Sequence, residues 1–94
     1  MQVDINELRS EIVKNVVLYL KRLKEWSDEQ ITSVDVDVFK SPNHIVTCKV
    51  KIAELNIDSK YLLCNILTGI LVMHGYRSEF QIHFPDTLMA QIPT

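Results

Sequence analysis

The sequence predicts an α+β domain of two layers, ordered helix, strand, strand, helix, strand, with a three-stranded sheet and both helices on one face. Three observations predict it. Segments 4–25 and 57–76 carry their apolar residues at helical spacing or all round a helix. Segments 31–39, 44–55 and 79–84 alternate apolar with polar residues, the signature of half-buried strands. Turn-forming residues separate them: Ser41-Pro42-Asn43, Gly75 and Pro85.

The first helix spans 4–25, capped by Asp4 or Asn6. Ile5, Leu8, Ile12, Val16, Tyr19 and Leu23 form one stripe, widened by Val13, Val17 and Leu20 to about half the circumference. Charged residues fill the other half, with Leu18 stranded among them. Ser27 and Gln30 have capping-box spacing, so a short extra turn is expected there. Trp26 is assigned to the core.

In 31–39, Val34, Val36 and Val38 share one face and Asp35 and Asp37 the other. In 44–55, Val46, Cys48, Val50 and Ile52 oppose Thr47, Lys49 and Lys51. A three-residue loop at 41–43 with left-handed Asn43 would set Lys40 against His44. Val38 then meets Val46, Val36 meets Cys48, and Asp35 opposes Lys49. Proline at 42 biases Ser41 away from the helical conformation such a loop prefers.

The 57–76 helix has no polar side. Asp58 is the expected N-cap, with Ile57 and Leu62 as a hydrophobic staple. Gly75 at C′ and Tyr76 folding back on Leu71 predict a Schellman ending. A helix apolar all round is buried all round or lies in a membrane. This run falls short of the ~18 apolar residues a span needs. Gly69 sits mid-helix, where glycine costs about 1 kcal/mol against alanine. The last strand runs over 79–84 with Phe80, Ile82 and Phe84 inward, and Pro85 ends it. Its crossover from the second strand is expected to be right-handed. Asp86 is read as the cap of one or two helical turns through Leu88, Met89 and Ile92.

Ninety-four residues predict one domain, 1–94. The net charge of −2 sets up no field to attract a polyanion. Cys48 and Cys64 have apolar neighbours and no C-x-x-C spacing, which reads as reduced, buried thiols. The charges at Asp4, Glu7, Arg9, Glu11 and Lys14 do not suit a signal peptide, so a cytoplasmic location without membrane contact is expected.

No H-E-x-x-H, G-x-S-x-G, G-x-x-x-x-G-K-[ST] or G-x-G-x-x-G occurs, and two glycines cannot build a phosphate-cradling loop. His44, His74, His83 and Cys48 fall on different elements and faces, so no metal, cofactor or enzymatic activity is expected. The exposed sheet face would gather Asp35, Asp37, Lys49, Lys51 and His83. Solvated charge pairs account for it, and an acid–base group is the minority reading.

The element order is similar to part of a type II KH domain, which would imply RNA held by a G-x-x-G loop between two helices. The chain has no G-x-x-G and runs one uninterrupted helix where that loop would lie.

A small sheet and one companion helix leave part of the 57–76 helix uncovered, and a symmetric homodimer would hide the remainder. Cys64, Leu67, Leu71 and Val72 are assigned to that contact. Leu18, Tyr19, Asp35, Asp37, Lys49, Lys51 and His83 are assigned to a partner protein. The expected function is a non-catalytic interaction module of inhibitor, immunity, chaperone or anti-defence type, binding or occluding its partner. RNA binding is the alternative.

Overall fold

The computed structural model describes residues 2–94. Its elements are α1 (Ile5–Arg22), α2 (Asp28–Thr32), β1 (Asp35–Lys40), β2 (Ile45–Lys51), α3 (Ile57–Met73), β3 (Gln81–His83) and β4 (Thr87–Pro93). The α+β class holds, but the sheet has four strands rather than three. Their order is β1-β2-β4-β3, with every neighbouring pair antiparallel. β2 and β3 both oppose β4, so they run in the same direction with β4 between them.

The main correction is β4. The segment read as helical turns is a full strand inside the sheet. Leu88, Ala90 and Ile92 alternate inward against Val50, Cys48 and Val46 of β2. Its ladder continues beyond the strand end, where the Ile52 amide donates to the Asp86 carbonyl at 2.7 Å. β3 is correspondingly reduced to an edge of three residues. The Phe80 amide donates to Thr68 Oγ1 of α3 at 2.9 Å, which keeps Phe80 off the ladder. Phe80 is buried, whereas Phe84 is exposed in the turn before β4 and not part of the core.

The β1–β2 register is also shifted. Val38 pairs with Cys48, Val36 with Val50, and Lys40 with Val46. The shift is two residues, so every side chain keeps its face. The loop is Pro42-Asn43-His44, closed by the Ser41 amide donating to the Ile45 carbonyl at 2.8 Å. His44 (φ 62°), not Asn43, takes the left-handed position. The reason is proline: its fixed φ suits the first loop position, and Ser41 before it stays extended.

Asp4 caps α1, its carboxylate accepting from the Glu7 amide at 3.0 Å. Both capping-box bonds of Ser27 and Gln30 are present and start α2. Asn56, not Asp58, caps α3, accepting from the Ser59 amide at 2.9 Å. Asparagine and aspartate cap about equally well, and the earlier residue fits the chain's exit from β2. With Asn56 as the cap, Ile57 becomes the first helical residue, so Ile57 and Leu62 no longer occupy the staple positions, and both are exposed. The Schellman ending is present. Tyr76 donates to Leu71 and Gly75 to Val72, each at 2.9 Å, with Gly75 at φ 85°.

The buried residues of α1, α3 and the inner sheet face form one contiguous cluster. Leu8, Ile12, Val16 and Leu20 of α1 meet Leu63, Leu67 and Leu71 of α3 and the inward residues of β2 and β4. Both helices therefore lie on one side of the sheet. Trp26 is half-buried against this cluster rather than inside it.

Candidate interaction surfaces

The outer sheet face follows from strand periodicity. Residues alternate across each strand, and the register then aligns the outward ones in rows. One row reads Asp35, Lys51, Thr87, His83 across the four strands. The next reads Asp37, Lys49, Met89, Gln81. The structure thus brings Asp35, Asp37, Lys49, Lys51 and His83 onto one surface. Asp35 faces Lys51, not Lys49, because of the two-residue register shift.

Spacing decides what this face can do. Neighbouring strands lie ~4.8 Å apart, so Asp35 and His83, at opposite edges of the sheet, are separated by about 14 Å. Lys51 and His83 are about 10 Å apart by the same measure. Proton transfer needs a heavy-atom distance near 3 Å, which Asp35 and His83 do not approach from opposite edges, whereas each aspartate has a lysine directly across on the neighbouring strand. A shallow depression of about 270 Å³ lies among Asp35, Asp37, Lys49, Lys51, Asp86 and Thr87. Lys51 Nζ approaches Asp86 at 3.9 Å there. Both signs of charge alternate across the face, which gives a patterned surface and no basic track.

The other surface is the outward side of the helix layer. At 100° per residue, α3 buries the arc holding Leu63, Cys64, Leu67, Ile70 and Leu71. The opposite arc holds Tyr61, Leu62, Asn65, Gly69, Val72 and Met73, all exposed. Lys60, the charge nearest the helix centre, points inward and donates to the Pro85 carbonyl at 2.7 Å. Ile66 borders α1, where Asn15, Leu18, Tyr19, Arg22 and Leu23 complete a groove of about 270 Å³.

This distribution corrects part of the expected contact set. Cys64, Leu67 and Leu71 are covered by their own chain, and Val72 is the member that reaches solvent. Tyr19 is buried; its hydroxyl donates to the Ser59 carbonyl at 3.4 Å. Leu18 is exposed as expected. The sequence assigns Leu23, Leu62 and Met73 to neither the dimer nor the partner contact, although all three are exposed on this side of the molecule. Asn65 and Gly69, four residues apart, marked the outward arc in the sequence. The inward turn of Lys60 hid that signal.

The thiols sit below these surfaces. Burial pushes Cys48 up to about 12 and Cys64 up to about 11. Neither is activated for nucleophilic work, which requires a thiolate. Among the described residues no group of three or more His, Cys, Asp or Glu side chains converges on a common point, and no helix is long and apolar enough to cross a membrane. The sequence matches no protein-family model, and no curated protein matches it.

Proposed function

We propose that the chain is a non-catalytic protein-interaction module that works as a homodimer and binds or occludes a partner protein. The observation that carries this reading is the apolar outer arc of the helix layer. Leu18, Leu23, Tyr61, Leu62, Val72 and Met73 range from 45% to 87% exposed. Apolar surface gathered in this way marks contact sites more often than idle surface. The sheet face lies on the opposite side of the molecule. Self-association through the helices therefore leaves Asp35, Asp37, Lys49, Lys51 and His83 free for a partner of complementary charge pattern. Such a division suits an inhibitor, immunity, chaperone or anti-defence protein. Free, buried thiols suit the reducing cytoplasm.

The test combines light scattering with co-purification from the native host. The expected mass is twice 10.9 kDa. A retained protein should be lost from the variant carrying Lys49→Glu and Lys51→Glu while its fold and mass are unchanged. A monomer that retains no partner, or a partner indifferent to both charge reversals, overturns the reading.

A further inference from the structure

We infer that the dimer partner on the helix layer is a second copy crossing α3 against α3 at Gly69, with Met73 of each copy seated in the α1–α3 groove of the other. The inference rests on the homodimer reading above and specifies its geometry.

Gly69 is the first observation. It lies inside α3, one turn before its C-terminal end at Met73, where glycine is the poorest helix former after proline. A Cβ built on it would meet nothing within 4 Å. No neighbour within the chain accounts for the missing side chain. Its position in the exposed arc does, if another backbone must come close there. Interaxial distance between packed helices is set by the side chains at the crossing.

The second observation is that a hole and a knob occur on the same face. The groove between Leu18, Leu23 and Ile66 is lined almost wholly by apolar atoms and holds about 270 Å³. Met73 projects from this face at 87% exposure. Its unbranched thioether adapts to an irregular groove. A twofold contact requires one patch to carry both halves of each pairing.

Register joins the two. With the axis at Gly69, each residue meets the one equally far on the other side of position 69. Val72 then faces Ile66, and Met73 faces Asn65. Ile66 lines the groove, so Met73 is delivered beside it, twice per dimer. The same arc carries no charge from Tyr61 to Met73, so α3 meets its own copy without like-charge opposition.

Area points the same way. Taking ~180 Å² for a fully exposed large side chain, within the scale of aromatic burial, the exposed apolar residues offer roughly 650 Å² per copy. Two copies would cover at most about 1,300 Å², since Tyr61 and Leu62 lie opposite positions beyond the end of α3, which places the contact at the low end of specific interfaces, ~1,200 Å².

Sedimentation velocity of the full chain from ~1 to ~200 μM tests this across the range where dimers of this area associate. The variants are Gly69→Leu and Met73→Lys, with Phe84→Ser as the control, since Phe84 is exposed in the turn before β4. Wild type should dimerise. Both α3 variants should weaken the dimer at least tenfold with unchanged circular dichroism, and the control should stay within twofold. A wild-type dimer that neither variant weakens overturns the contact geometry and leaves the homodimer standing. Weakening by Met73→Lys alone removes Gly69 from the crossing and overturns the geometry too. A monomer throughout removes the homodimer itself.

Discussion

Lys60 Nζ donates to the Pro85 carbonyl at 2.7 Å, joining the first turn of α3 to the turn between β3 and β4. The lysine is buried and its aliphatic stem lies within the protein. The bond ties the helix start to the segment that leads into β4. Nothing in the local sequence around either residue announces it.

Replacing Lys60 by Ala should therefore cost about 2 kcal/mol, the scale of a hydrogen bond to a charged group. Lys60→Met should cost less, because the stem's packing is kept. Urea unfolding of both variants measures the difference. Equal and negligible losses would show that the bond contributes nothing to stability.

His44 holds a left-handed backbone at φ 62°, a conformation costing roughly 1–2 kcal/mol for an L-residue. His44→Gly should raise the thermal midpoint or leave it level, since relief of strain offsets glycine's greater freedom when unfolded. His44→Val should lower stability by about 1–2 kcal/mol, because a β-branched residue suits this region least. Thermal melts compare the three chains. A valine variant as stable as the glycine one would contradict the loop described.

β4 supplies three inward residues to the centre of the sheet. A chain ending at Asp86 should fail to fold, giving an uncooperative melt. Leu88→Ala, at a fully buried position, should cost about 2–5 kcal/mol by the usual scale for core truncation. A short, loosely packed terminal helix would tolerate both changes, so calorimetry of the two variants separates the alternatives.

The thiols predict an alkaline effect. Their folded values lie above the ordinary 9.0, at about 12 for Cys48 and about 11 for Cys64. Above pH 9 the unfolded chain releases protons that the folded chain keeps, so stability falls as pH rises. The contribution is complete below pH 9 and is lost as pH climbs from 9 towards 11 and 12. Urea midpoints across pH 8–10.5 should show the decline, and Cys48→Ala should flatten its slope. A thiol reagent at pH 8 should label the unfolded chain and spare the native one.

Local chemistry made several features readable from sequence. The Asp4 cap, the Ser27–Gln30 box and the Gly75–Tyr76 ending each depend on residues within six positions of one another. The chain carries those signals wherever it folds. The faces of β1 and β2 were readable for the same reason, since period two decides them. Their register was not, because it turned on which of Asn43 and His44 went left-handed.

What lay beyond the sequence was everything set by distant partners. Leu88, Met89 and Ile92 fit a helical turn, while Leu88, Ala90 and Ile92 fit a strand; short apolar runs support both. The open edge of β2 decided between them, by offering hydrogen bonds and a buried face. Likewise, in a largely apolar α3 only Asn65 and Gly69 mark the outward arc, too slight a signal against the charge of Lys60 on the other side. Packing against α1 and the sheet selected Leu63, Leu67 and Leu71 for burial and drew Lys60 in towards Pro85. The same choice left Leu62, Val72 and Met73 facing solvent. Periodicity reports that a residue can be buried, and only the arrangement of neighbours determines whether it is.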